Sequence, residues 1–174
     1  MKRLYILRHA KSSWAERGSG DIDRRLNERG HEQMRTLSKW WSEWRKSDGN
    51  DIDCAIVSIA NRTRETFADL EQALGFSSPQ FLDDLYMGTI EDYLDTLWTQ
   101  TGDSVLLIGH NPTCDELARY LASPNSPAAD KLMAHHFSTA SMAVFDCDIE
   151  EWSELGRYKG RLLDFIRPKD LENN

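Results

Sequence analysis

Leu4–Lys11 reads L-Y-I-L-R-H-A-K, an apolar run of strand character that stops at an arginine and a histidine. Tyr5, Ile6 and Leu7 suit a buried sheet position, since short apolar runs bounded by polar residues fill covered strands. Arg8 and His9 then stand at the carboxyl end of that strand, with small Ala10 beside them. In open α/β sheets this edge is where ligands bind. A charged arginine fused to a buried strand is costly unless an anion or a carboxylate meets it. Two readings are open: a ligand site, or a strand end with a solvated arginine and a satisfied histidine. The rest of the chain decides between them.

Downstream, a polar loop over residues 11–23 contains Gly18 and Gly20 and is expected on the surface. Asn27 is placed to cap a helix in which Met34, Leu37, Trp41 and Trp44 recur at spacings of three and four, with Trp40 widening the stripe. That spacing assigns the tryptophans to the core rather than to ligand stacking. Ile52–Ile59 (I-D-C-A-I-V-S-I) predicts a second, central strand. Asn61 opens a second helix with Thr66, Phe67, Leu70 and Leu74 inward and Gly75 at its end. Phe81–Leu82 gives a short third strand, and Thr89 with Asp92 forms the capping box of a helix carrying Ile90, Tyr93, Leu94, Leu97 and Trp98. Ser104–Ile108 is another strong strand and runs into G-H-N-P, where Asn111 can cap the next helix and Pro112 suits its first turn. Met142–Asp148 and Leu155–Phe165 read as later, antiparallel strands, and the residues after Arg167 as a tail. Strands alternating with helices predict an α/β protein, a three-layer α/β/α sandwich around a mostly parallel sheet, with residues 1–174 as a single domain.

Composition removes several function classes. Net charge is −8, against a nucleic-acid or anionic-membrane surface, so any anion site must be local. Cys54, Cys114 and Cys147 are odd in number and form no C-x-x-C, which fits a reduced cytoplasmic protein better than a disulfide framework. The apolar run near the start is too short for a signal peptide, and no segment has the length of a membrane span.

Three strand ends repeat one theme. The first delivers Arg8 and His9. The second delivers S-I-A-N-R-T, with Arg62 in the first turn of a helix, and the Ser104–Ile108 strand delivers Gly109, His110 and Asn111. In a parallel sheet these ends share one edge. Two arginines, two histidines and two helix N-termini there suit a phosphate. A metal is disfavoured, because the arginines repel cations and no carboxylate cluster joins the histidines. A neutral imidazole can attack phosphorus while guanidinium groups neutralise charge on the equatorial oxygens. No G-x-x-x-x-G-K-[ST], G-x-S-x-G or C-x-x-x-x-x-R segment offers another route. His31 is expected to be exposed, and the adjacent His135 and His136 to be surface or structural residues.

Together, L-R-H-A, S-x-x-x-R-T-x-x-T and G-H-N-P resemble the histidine phosphatase superfamily, the phosphoglycerate mutase-like fold. The short chain and the D-x-D-R-x-L-x-x-R-G segment resemble its SixA-type phosphohistidine phosphatase branch. The resemblance runs from Tyr5 to about Leu121, more faintly beyond. It implies a cofactor-independent phosphatase in which His9 is the nucleophile and becomes phosphohistidine. It implies that Arg8, Arg62 and His110 bind the phosphoryl group, that Asn111 adds a backbone N–H, and that Arg24 touches substrate or forms a surface ion pair. Asp84 in D-D-L-Y-M-G is the candidate general acid, with Asp83 and Glu91 as rivals. Two departures stand out: Ala10 replaces the family's usual glycine, and the E-x-x-x-G-x-x-E-G acid motif is absent. The implied substrate is phosphohistidine on a protein such as a phosphotransfer domain. Alternatives are a small-molecule phosphomonoester and a non-catalytic phosphate-binding module.

Overall fold

The computed structural model describes residues 1–14, 17–49 and 51–172. Six strands form one sheet: β1 (Lys2–Arg8), β2 (Cys54–Ser58), β3 (Gln80–Leu82), β4 (Ser104–Gly109), β5 (Met142–Cys147) and β6 (Gly160–Ile166). Their order is β3-β2-β4-β1-β5-β6. The first four in that order pair in parallel, and β5 and β6 are antiparallel. The carboxyl ends of β1, β2 and β4 therefore meet on one edge.

Strand alternation splits the core in two. On one face Tyr5, Leu7, Ala55, Val57, Leu106 and Ile108 pack against α1 (Glu28–Asp48) and α2 (Asn61–Leu74). On the other, Leu4, Ile6, Ile56, Val105 and Leu107 pack against α3 (Ile90–Trp98) and α4 (Thr113–Leu121). Both faces of β1, β2 and β4 are covered, which is why these strands read as continuous apolar runs. Trp41 is buried with its ring 4.6 Å from Tyr5, whereas Trp40 and Trp44 stack on each other half-buried.

Local signals decide the helix ends. The Asn27 side chain accepts from Gly30 N–H at 3.0 Å, and Thr89 and Asp92 form the expected capping box. Gly49 and Gly75 close α1 and α2 in the left-handed conformation that glycine adopts without a Cβ penalty.

Three expectations need correction, and one further helix is present. Asn111 does not cap α4: that helix starts at Thr113 after a cis Asn111–Pro112 peptide, and the Asn111 amide donates to Phe137 O instead. The last strand begins at Gly160 rather than Leu155, because Leu155 ends a 3-10 turn over Trp152–Glu154 and Tyr158 has φ 62°. A further short helix, α5 (Ala129–Ala134), occupies part of the loop after Pro127. The expected tail folds into α6 (Pro168–Leu171), started by proline at its first turn and packed through Leu171 on the α1 side of the sheet. Residues 173 and 174 of that tail lie outside the described residues, as do 15 and 16 of the loop at 11–23. Elsewhere that loop contains a buried Ser12, bridged to Leu26, and a 3-10 turn over Asp21–Asp23.

Candidate active site

At the end of β1 the backbone is fastened on both sides. His9 N–H donates to Gly109 O at 3.1 Å, and Arg8 N–H to Ser141 O at 3.0 Å. Ala140 N–H donates to the carbonyls of Arg8 and His9, and Ala10 N–H to Thr66 Oγ1 on α2. This leaves the His9 imidazole little freedom, and only 8% of the residue is exposed.

Ring tautomers follow from the partners. His9 Nδ1 lies 2.7 Å from Ala10 O. A carbonyl only accepts, so Nδ1 carries the proton and Nε2 keeps its lone pair. Arg62 Nη2 donates to His110 Nδ1 at 3.3 Å, so His110 is protonated on Nε2 and donates to Ser58 Oγ at 2.7 Å. The two rings stand 5.3 Å apart. Burial, and then the neighbouring cationic groups, depress both imidazoles from 6.5 to about 3. Both are neutral near pH 7.

Among the described residues, Arg62 has a carboxylate partner and Arg8 has none. The Arg8 guanidinium gives one hydrogen bond there, Nη1 to Phe137 O at 3.0 Å, and burial lowers its pKa. Arg62 sends Nη1 to Asp21 O at 2.8 Å and Nη2 to Asp21 Oδ2 at 3.1 Å. The Nε atoms of both are buried with no partner among the described residues. Leaving such donors unmatched costs about 1–3 kcal/mol each, so an acceptor belongs there. A phosphoryl group supplies three oxygens. Asn111 Nδ2 shares the Phe137 carbonyl with Arg8, and its Oδ1 is buried without a partner among the described residues.

The structure thus brings Arg8, His9, Arg62, His110 and Asn111 to one edge of the sheet. Arg24 stands one contact away, bonded to Asp21 Oδ1, Ser12 Oγ and Ser13 O. Asp84 is not drawn in: it is exposed in a 3-10 turn over Asp83–Leu85, and its carboxylate bonds to no described residue. Asp83 and Glu91 are exposed as well. His31 is half-buried rather than exposed, with Nδ1 2.6 Å from Asp69 Oδ2 between α1 and α2. His135 and His136 belong to the segment after α5, where the His135 carbonyl accepts from Arg119.

Four site residues have no role in the sequence reading, although Ser58, Asp21 and Tyr86 lie inside segments it quotes. Ser58 is the last residue of β2, a hydroxyl in an apolar run, which is itself a signal that it has a buried partner. Tyr93 sits in the apolar stripe of α3, yet its hydroxyl accepts from His110 N–H and donates to Leu85 O. Asp21 and Tyr86 are joined by a 2.8 Å hydrogen bond across two loops, and no local pattern announces such a pair.

Comparison with known proteins agrees with this geometry. Residues 4–93 match the model of the family described as Histidine phosphatase superfamily (branch 1). A solved SixA phosphohistidine phosphatase candidate from Agrobacterium tumefaciens is 30% identical, with TM-score 0.79 and coverage of 96% of this chain and 98% of its own. A second such candidate, from Nakamurella multipartitia, is 27% identical, with TM-score 0.77 and coverage of 96% of each chain. An uncharacterised protein of Mycobacterium tuberculosis is 30% identical over 147 residues, 79% of this chain and 85% of that one.

Proposed function

Because the chain belongs to the histidine phosphatase superfamily, in its SixA-type branch, we propose that its phosphatase reaction runs through a covalent phosphohistidine at His9 and that its substrate is phosphohistidine on a protein. The observation that carries this reading is the state of His9. Its Nδ1–H is tied to Ala10 O, and among the described residues its Nε2 lone pair has no partner and the two neighbouring guanidinium groups have unmatched N–H donors.

In this mechanism Nε2 attacks phosphorus in line while Arg8 and Arg62 hold the transferring oxygens, and His110, bonded to Arg62 and Ser58, lines the site beside them. The second step is attack of water on phospho-His9, which returns neutral imidazole and phosphate. The hydrogen bond from Nδ1–H to Ala10 O strengthens as positive charge grows on the ring, so the same contact orients the nucleophile and stabilises the intermediate. Protein phosphohistidine as substrate is supported by the two SixA relatives, which are described as candidate phosphohistidine phosphatases and are each about as long as this chain. A phosphotransfer domain is the partner class that presents such a group.

Rapid quenching after mixing with a 32P-labelled phosphoester tests the route. Acid-labile, base-stable label on His9 is expected, together with loss of turnover in His9→Ala. Full activity in His9→Ala overturns it. Release of phosphate from a phosphorylated phosphotransfer domain, faster than from phosphoserine peptides, tests the substrate.

A further inference from the structure

An ionised carboxylate stands among the arginines of the site: Asp21 bonds to both Arg62 and Arg24. Asp21 is held at about 2 by hydrogen bonds from Tyr86, Arg24 and Arg62, so it cannot serve as a proton donor near pH 7. Beside a phosphate dianion alone, such a group would only repel. A phosphorylated imidazole differs from a phosphate ester in one respect: its second ring nitrogen takes a proton, and the ring then carries positive charge. When Nε2 of His9 gives its lone pair to phosphorus, the substrate's P–N bond breaks and its electron pair stays on the departing nitrogen. A ring already protonated at the other nitrogen leaves as neutral imidazole.

Attack in line places that ring opposite His9 Nε2. The rings of the site follow one another, His9 to His110 at 5.3 Å and His110 to Tyr86 at 5.8 Å. A phosphoryl group held by Arg62 also lies beside Tyr86 and Asp21, because Arg62 Nη2 donates to Asp21 Oδ2 and its guanidinium carbon lies 5.9 Å from the centre of the Tyr86 ring. Among the described residues Asp21 Oδ1 takes one hydrogen bond, from Arg24 Nη1, which leaves a lone pair unmatched by them. Half of its side chain is exposed, 51%. The Tyr86 ring, half-buried and held to Asp21 by its hydroxyl, adds a π face beside that carboxylate. A carboxylate acceptor next to an aromatic ring is the chemistry that recognises a flat, protonated heterocycle.

We propose that Asp21 and Tyr86 bind the protonated ring of the departing imidazole and thereby select phosphohistidine over phosphate esters. This rests on the substrate reading given above. Asp21 accepts the ring N–H, keeps the proton on the leaving group, and so favours the form in which the P–N bond is weakest. Tyr86 holds the carboxylate in place and packs against the ring.

The test is a ratio: kcat/KM for phosphohistidine divided by kcat/KM for p-nitrophenyl phosphate, whose leaving group carries no N–H. In Asp21→Asn the ratio falls about tenfold or more, the range of a lost hydrogen bond to a charged group. Asp21→Glu restores part of it. Tyr86→Leu, which keeps the carboxylate, lowers the same ratio. A carboxylate that merely orients Arg62 would slow both substrates together, so an unchanged ratio in a folded Asp21→Asn or Tyr86→Leu variant overturns the inference alone. Wild-type enzyme that hydrolyses p-nitrophenyl phosphate but leaves phosphohistidine intact overturns the substrate reading, and this inference with it.

Discussion

The His110 ring has both nitrogens committed, one to Arg62 and one to Ser58, so its orientation depends on a serine hydroxyl that touches no substrate atom. Replacing Ser58 by Ala leaves a buried Nε2–H without an acceptor, at about 1–3 kcal/mol. The expected result is a comparable fall in unfolding free energy and a drop in kcat/KM of about tenfold, since a ring misplaced by an ångström carries the Arg62 guanidinium bonded to it out of place. Denaturant titration and steady-state assays on one preparation read both. At Asp84 the expectation is the reverse. Its carboxylate is exposed and bonded to no described residue, so Asp84→Asn should keep kcat with an aryl phosphate within about threefold of wild type, as surface changes away from a site do. A loss of a hundredfold would return Asp84 to the role of acid or base.

Among the elements, α3 supports the site without entering it. Its Tyr93 hydroxyl ties the end of β4 to the turn before Tyr86, accepting from His110 N–H and donating to Leu85 O. An added Cβ at Gly109 would land on that hydroxyl and ring, so glycine there follows from close approach rather than from a turn. Tyr93→Phe keeps the buried ring but orphans one N–H and one C=O, and should cost about 1–3 kcal/mol with partial loss of activity. Gly109→Ala should cost more, since the displaced ring is fully buried; thermal melts of both variants rank them. These elements also show what could be read from the chain alone. The covered strands, the caps at Asn27 and Thr89 and the closing Gly75 are local patterns, and each was legible. So was the meeting of Arg8, His9, Arg62 and His110, because parallel strands put their ends on one edge. Asn111 misled because its side-chain partner, Phe137, is 26 residues away. The roles of Ser58, Tyr93, Asp21 and Tyr86 stayed hidden for the same reason: their bonds span 52, 17, 41 and 65 residues, and periodicity carries no information at that range. The bend at Tyr158 that shortens β6 is a left-handed residue without the glycine that usually announces one.

At the level of the whole molecule, a chain of net charge −8 keeps two buried, neutral imidazoles beside two arginines. That arrangement makes stability depend on pH in a definite direction. Both histidines titrate near 6.5 when unfolded and near 3 when folded. Between those values the unfolded chain binds more protons, so the free energy of unfolding rises with pH and levels off above about 6.5 for these two groups. Acidifying from pH 7 to pH 5 therefore costs stability, up to about 2 kcal/mol for each histidine at 1.36 kcal/mol per pH unit. Asp21 acts in the same sense at lower pH, because a depressed carboxyl stabilises above its unfolded value and loses that contribution as pH falls through about 2. Thermal or chemical melts at pH 5, 6 and 7 should show the decline. Replacing both His9 and His110 by Asn should flatten it between pH 7 and pH 5, whatever the variant's stability at pH 7. A slope unchanged in the double variant would mean that the folded protein accommodates imidazolium at these positions. The neutral nucleophile on which the proposed chemistry rests would then have to be formed by the substrate's arrival rather than held ready by the fold.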